Sequence, residues 1–318
     1  MSVTNESSPQ LMRDIVINSI AKAAKKDKNI LFISADLGAK SLDNFRRDFP
    51  NQFIHAGISE QNMVDLASGL ALSGKRVFLY AMAPFITARC YEQIKCVIAS
   101  MGLPVTLISV GVGLGYDHAT LTHFTPEDIA CMRALNGIEV LTPSDAESTE
   151  VIIEKAIAEP KFRYLRLDRQ GQLPIYNGNF RPNMEVGFSH IIKGKQLVIV
   201  SCGALMNKVL AAREKLMFEG MDVGIIDLFR VKPINGRELS KALNSYNAIL
   251  TVEEQLLDGG MGSAITEMLA DYMILKPIKR LGMRDGFSVV NGDRDQLHDL
   301  YGIAVSDVIK AVNELYQR

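Results

Sequence analysis

Cysteine is scarce. Cys90, Cys96, Cys131 and Cys202 form no Cys-x-x-Cys pair, and none stands near a histidine at metal-ligand spacing. That argues against a disulfide framework or a zinc site, and reads as small buried hydrophobes in a reducing cytosol. Neither sign of charge predominates. Thirty-five basic residues face 36 acidic ones, a net charge of -1, so nothing attracts the chain to nucleic acid or an anionic membrane. No apolar run approaches the ~20 residues that span a bilayer. Residues 1–10 lack the basic and apolar regions of a secretory signal, so the expected location is cytoplasmic. No Gly-x-Gly-x-x-Gly follows the first expected strand, which argues against a generic nucleotide-binding α/β protein. Tryptophan is absent and excludes nothing.

What is present is a chain of 318 residues, 47% hydrophobic and 22% charged, enough for a sizeable core in one or two domains. Short apolar runs alternate with helical patterns, which predicts α/β structure with a mainly parallel, doubly wound sheet. Strands are expected at residues 29–35, 76–80, 105–110, 137–141 and 162–167, and helices at 11–26, 61–72 and 127–134. Residues 172–185 carry two prolines and three asparagines with little periodicity, as an interdomain linker would. A second α/β pattern follows. Strands are expected at 197–200, at 223–228 running on to Lys232-Pro233, and at 248–252 ending in Glu253-Glu254. A glycine-rich turn at 258–262, a helix from Ser263 and an amphipathic helix at 305–316 complete it. The expected domains are residues 1–178 and a smaller α/β unit over 186–318.

The segment His55-Ala56-Gly57-Ile58-Ser59-Glu60-Gln61-Asn62-Met63 sets a carboxylate where a loop becomes a helix. Physics alone reads a helix N-terminus, with Ser59 as cap and Glu60 favourable to the dipole. Further segments follow in order: Ser34-Ala35-Asp36-Leu37, then Phe85 through Arg89 to Gln93-Ile94, then Pro126-Glu127-Asp128-Ile129-Ala130 with Met132-Arg133-Ala134, then Leu141-Thr142-Pro143-Ser144-Asp145-Ala146. Together with Gly57–Met63 they resemble the transketolase family over nearly the whole chain. The order makes the resemblance specific where each motif alone is weak.

The resemblance implies the thiamine-diphosphate (ThDP) pyrimidine-binding domain followed by the transketolase C-terminal domain. It makes Glu60 the acid that hydrogen-bonds the pyrimidine nitrogen, favouring the tautomer that can deprotonate the thiazolium carbon; for this Glu60 should be partly buried. Phe85 would stack on the pyrimidine, with Ile58 and Met82 nearby; Met82 stands where many relatives carry a second aromatic. Arg89 and Arg169 are candidates for a substrate phosphate, because guanidinium groups match phosphate bidentately. Surface salt bridging is their plainer reading. In Gly113–His123 the aspartate and histidine lie two residues farther apart than in the family pattern. Matching Thr122-His123 to the family's Thr-His makes His123 the substrate-facing histidine and leaves Asp117 and His118 in an enlarged loop. His118 stands as the alternative to His123.

The family's Gly-Asp-Gly…Asn motif for Mg²⁺ and diphosphate does not occur; Asn291-Gly292-Asp293 lacks the pattern that must follow. An N-terminal transketolase subunit is therefore the expected partner, in an α2β2 assembly acting on sugar phosphates. Alternatives are the β subunit of a 2-oxo acid dehydrogenase, a synthase like the deoxyxylulose-phosphate enzyme, and a non-catalytic binding paralogue.

Overall fold

A computed structural model describes residues 10–285 and 292–317. The N-terminal segment read for a signal lies almost wholly outside them, as does Asn291. Two sheets organise the described chain. The strands are β1 Ile30–Ala35, β2 Phe53–Gly57, β3 Arg76–Met82, β4 Val105–Val110, β5 Glu139–Leu141, β6 Arg163–Leu167, β7 Ser189–Ile192, β8 Leu197–Ser201, β9 Gly224–Asp227, β10 Arg230–Lys232, β11 Ala248–Leu256 and β12 Ile278–Met283. The first sheet runs β10-β5-β6-β4-β3-β1-β2, and the second β12-β11-β8-β9-β7. Both are parallel apart from one antiparallel edge strand each, β10 against β5 and β7 against β9.

The continuous apolar runs become buried strands. Every residue of β1, β4 and β6 is buried, as expected for strands covered on both faces. On one face of the first sheet, helix α1 (Met12–Ala24) packs with the helix Ala146–Ala158, joining Val16, Ile20, Ile152 and Ile153 in one core. On the other face, α3 (Glu60–Leu72) contributes Met63, Val64 and Ala67 beside Ile94 and Ile98. The expectation of a two-unit, mainly parallel α/β protein holds. No described helix is long and apolar enough to cross a membrane.

Several expected bounds shift, each for a visible reason. β3 runs two residues past Tyr80 to Met82, because Ala81 and Met82 stay in register with Ser109 and Val110 of β4. The stretch read as one strand toward Lys232-Pro233 divides, β9 staying in the second sheet and β10 crossing to the edge of the first. The glycine-rich turn leads into a helix from Met261, not Ser263. Its first amides are already taken: Met261 N–H and Gly262 N–H donate to the buried Glu253 carboxyl at 2.5 and 2.7 Å. Those two donors are not free for a phosphate.

Residues 172–185 form no regular helix or strand, yet they are pinned. Ile175 N–H and Tyr176 N–H donate to Asp145 Oδ2, each at 2.8 Å. Tyr176 Oη donates to Asp227 Oδ2 at 2.7 Å, and Ser144 Oγ to Asp227 Oδ1 at 2.9 Å. Burial pushes the Asp227 carboxyl up to about 7, against the lowering effect of those two hydrogen bonds. An unfolded aspartate titrates near ~3.9. Between those values the folded chain holds the extra proton, so this group's contribution to stability falls as pH rises from about 4 to about 7. Urea unfolding of wild type and Asp227→Asn across that range should give a difference that shrinks with rising pH. A difference that stays flat would show that Asp227 does not titrate there.

Candidate active site

The side chains singled out around Glu60 gather at the carboxyl ends of the first sheet's parallel strands, where ligands of open α/β sheets bind. β2 delivers Glu60, β3 delivers Phe85, β4 leads into Asp117 and His123, and β6 ends beside Arg169. Glu60 opens α3 and is only 5% exposed. Ser59 occupies the cap position but makes no cap bond; its hydroxyl donates back to the Ala56 carbonyl at 2.6 Å. Glu60 is therefore not held by a capping partner. Its carboxyl meets Arg89 instead, with Nη1 2.7 Å from Oε2.

From Arg89 the contacts run on without a break. Its guanidinium lies over the Phe85 ring, 4.1 Å from the centroid. His123 meets Phe85 edge-on at 5.4 Å, and meets Tyr116 edge-on at 5.7 Å. Arg169 lies over Tyr116 at 4.9 Å and stands 4.0 Å from Asp117. The Thr122 hydroxyl lies 2.9 Å from His123 Nδ1. That contact takes up Nδ1 and leaves Nε2 as the ring nitrogen for a ligand.

Thus Glu60, Phe85, Arg89, Asp117, His123 and Arg169 form one contiguous group. His118 stands at its margin, exposed, 4.0 Å from Asp117. Met82 closes β3, half-buried, just before the short helix that carries Phe85. Ile58, two residues before Glu60, is 79% exposed. The two arginines take different places: Arg89 sits on Glu60 and Phe85, whereas Arg169 sits on Tyr116 and Asp117. Arg166 is spent elsewhere, buried and bonded to Asp128 at 2.8 Å.

Two participants carry no signal in the sequence that marks them for the site. Tyr116 lies inside the glycine-rich segment, and its ring is seated against Gly111. A Cβ at Gly111, where φ is +76°, would fall 2.0 Å from that ring. The glycine thus serves both the turn after β4 and the close approach of the ring. Arg294 comes from the far end of the chain. It bridges Asp168, the neighbour of Arg169, to Glu254 of β11, with contacts of 2.7 Å to each. A cavity of about 280 Å³ lies beside this bridge, lined by Asp117, Gln170, Lys208, Arg294 and His298 among others. Burial alone would raise the Glu254 carboxyl; the Arg294 charge and hydrogen bonds, with His298, hold it below the usual carboxylate range. Among the described residues, no three of His, Cys, Asp or Glu are grouped to hold a metal ion.

The chain matches two family models in order: the transketolase pyrimidine-binding domain over residues 8–172, and the transketolase C-terminal domain over residues 189–308. It is 31% identical to a putative transketolase C-terminal section of Methanocaldococcus jannaschii over 93% of each chain. It is 28% identical to an apulose-4-phosphate transketolase subunit of Phocaeicola vulgatus, over 95% of this chain and 96% of that one. Among solved structures, a split-gene transketolase described as an inactive β4 tetramer superimposes with a TM-score of 0.86 and 30% identity, covering 96% of this chain and 98% of that one. With more than half of its residues under the first model alone, the chain belongs to the transketolase family and carries that family's pyrimidine-binding and C-terminal domains in sequence.

Proposed function

We propose that this chain is the cofactor-activating subunit of a split transketolase. It moves a two-carbon ketol unit from a ketose phosphate to an aldose phosphate once joined to a partner. The observation that carries this is a buried carboxyl, Glu60, joined through the Arg89 guanidinium to an aromatic face, Phe85. That pair suits the ring nitrogen and the flat face of an aminopyrimidine. When bound, thiamine diphosphate supplies the carbon nucleophile and the electron sink for making and breaking the bond beside a ketose carbonyl.

The chain's own residues do the rest. Glu60 holds a proton at the pyrimidine ring nitrogen, and Phe85 fixes the ring plane, with Met82 and Ile58 nearby. His123 offers Nε2–H to a substrate hydroxyl and passes protons there. Arg169, oriented by Tyr116 and Asp117, binds the substrate phosphate. His118 borders the entrance. The described residues of this chain do not fit Mg²⁺, so the metal and diphosphate fall to an N-terminal partner subunit with a Gly-Asp-Gly…Asn motif. The assembly is α2β2 and cytoplasmic, with domains at 1–178 and 186–318. The Phocaeicola vulgatus relative supports both halves of this reading: its name gives a phosphorylated sugar, and it is named as one subunit of a transketolase.

Co-expression with the candidate partner, followed by a ketol-transfer assay with and without ThDP and Mg²⁺, tests the reading. Activity should require both chains and both additions. Decarboxylation of a 2-oxo acid with transfer of the acyl group to a lipoyl disulfide, which is reduced to a thioester and a thiol, would establish the dehydrogenase alternative instead.

A further inference from the structure

The Arg89 guanidinium already makes the two contacts that an aminopyrimidine needs in this site. It reaches the Glu60 carboxyl at 2.7 Å and covers the Phe85 ring at 4.1 Å. A guanidinium is planar and delocalised, presents in-plane nitrogens to a carboxyl and rests its face on an aromatic ring. A second flat ring cannot take the same face of Phe85 while the guanidinium stays.

We propose that Arg89 is a place-holder for the pyrimidine ring: its guanidinium fills the site in the cofactor-free chain, and cofactor binding displaces it. This rests on the reading of Glu60 and Phe85 as the pyrimidine site. The physical need for a place-holder is plain. A carboxylate shut away from water without a partner is costly, and Glu60 is 5% exposed. Arg89 satisfies it from a short helical turn, Ala88–Cys90, just past the Phe85 helix. The way out is open as well, because the Arg89 side chain is 42% exposed. Departure thus moves one long side chain into water and leaves the backbone alone. The free energy of the ion pair and the cation–π contact then opposes cofactor binding, and the observed affinity is lower by that amount.

The test measures ThDP affinity of the assembled enzyme in the presence of Mg²⁺ by calorimetry, for wild type, Arg89→Met and Arg89→Lys. Methionine retains the apolar stem without the charge or the planar head. Arg89→Met should bind roughly tenfold more tightly, the size of one ion pair open to water on the arginine side plus one ring contact. Arg89→Lys, still charged but without the fork, should fall between. In the isolated chain, the Arg89 guanidinium protons should give a slowly exchanging NMR signal that Glu60→Ala abolishes. Equal or weaker binding by Arg89→Met, with the NMR signal present, would overturn the place-holder while leaving the pyrimidine site intact. A wild-type assembly that binds no ThDP would remove both.

Discussion

Replacing Glu60 with glutamine is expected to lower ketol transfer by the assembled enzyme roughly 10²–10⁴-fold, the usual worth of one positioned acid–base group. Glutamine matches glutamate in size and still accepts a hydrogen bond from Arg89. What it lacks is an acidic proton to share with a ring nitrogen. Folding should hardly change. The Glu60–Arg89 pair is open to water on the arginine side, so its loss costs about 1 kcal/mol or less. A Glu60→Gln assembly with normal thermal unfolding and near-normal turnover would remove Glu60 from catalysis. A loss confined to KM would make it a binding residue alone.

The second large effect concerns stability. Arg294 lies between two buried carboxyls, Asp168 from the end of β6 and Glu254 from β11, and His298 also bonds Glu254. Gly113, in the loop after β4, leaves room for the Glu254 carboxyl, since a Cβ there would lie 2.3 Å from Glu254 Oε2. Removing the guanidinium leaves two carboxyls shut in without their cation. Breaking a buried pair this way costs about 3–5 kcal/mol. Arg294→Leu should therefore lower the thermal midpoint by roughly 10 °C, and Arg294→Lys should recover part of it.

The pH dependence carries a matching signature. Because Glu254 titrates lower in the folded chain than in the unfolded one, its contribution is present above the unfolded value of ~4.3 and is lost as pH falls below it. Arg294→Leu should make that acid loss shallower. A thermal midpoint within about 2 °C of wild type at neutral pH would mean that the network holds nothing together.

Part of this site was legible in the residues themselves. Glu60, Phe85 and His123 each sit in a short segment that resembles the family's, and the expected strands at 76–80 and 105–110 place Phe85 and His123 beyond strand ends. The apolar runs of β1 and β4 could hardly be anything but buried strands. Other parts depend on pairing between distant residues, which local pattern does not carry. β2 is an edge strand of mixed burial, so Phe53–Gly57 offers neither a clean alternation nor an apolar run. The three residues of β10 look like loop until β5 pairs with them across the two halves. Arg294 is one arginine among many until Asp168 and Glu254 close around it. Arg89 shows the limit of reading a residue type alone. A guanidinium in this segment suggests phosphate; the carboxyl and ring beside it become visible only in space.

The most direct measurement is a crystal structure of the assembled enzyme with ThDP bound. The expected arrangement has the pyrimidine ring on Phe85, its ring nitrogen within hydrogen-bonding distance of Glu60, and the Arg89 guanidinium turned out toward solvent. A cofactor seated elsewhere, with Glu60 still held by Arg89, would contradict it.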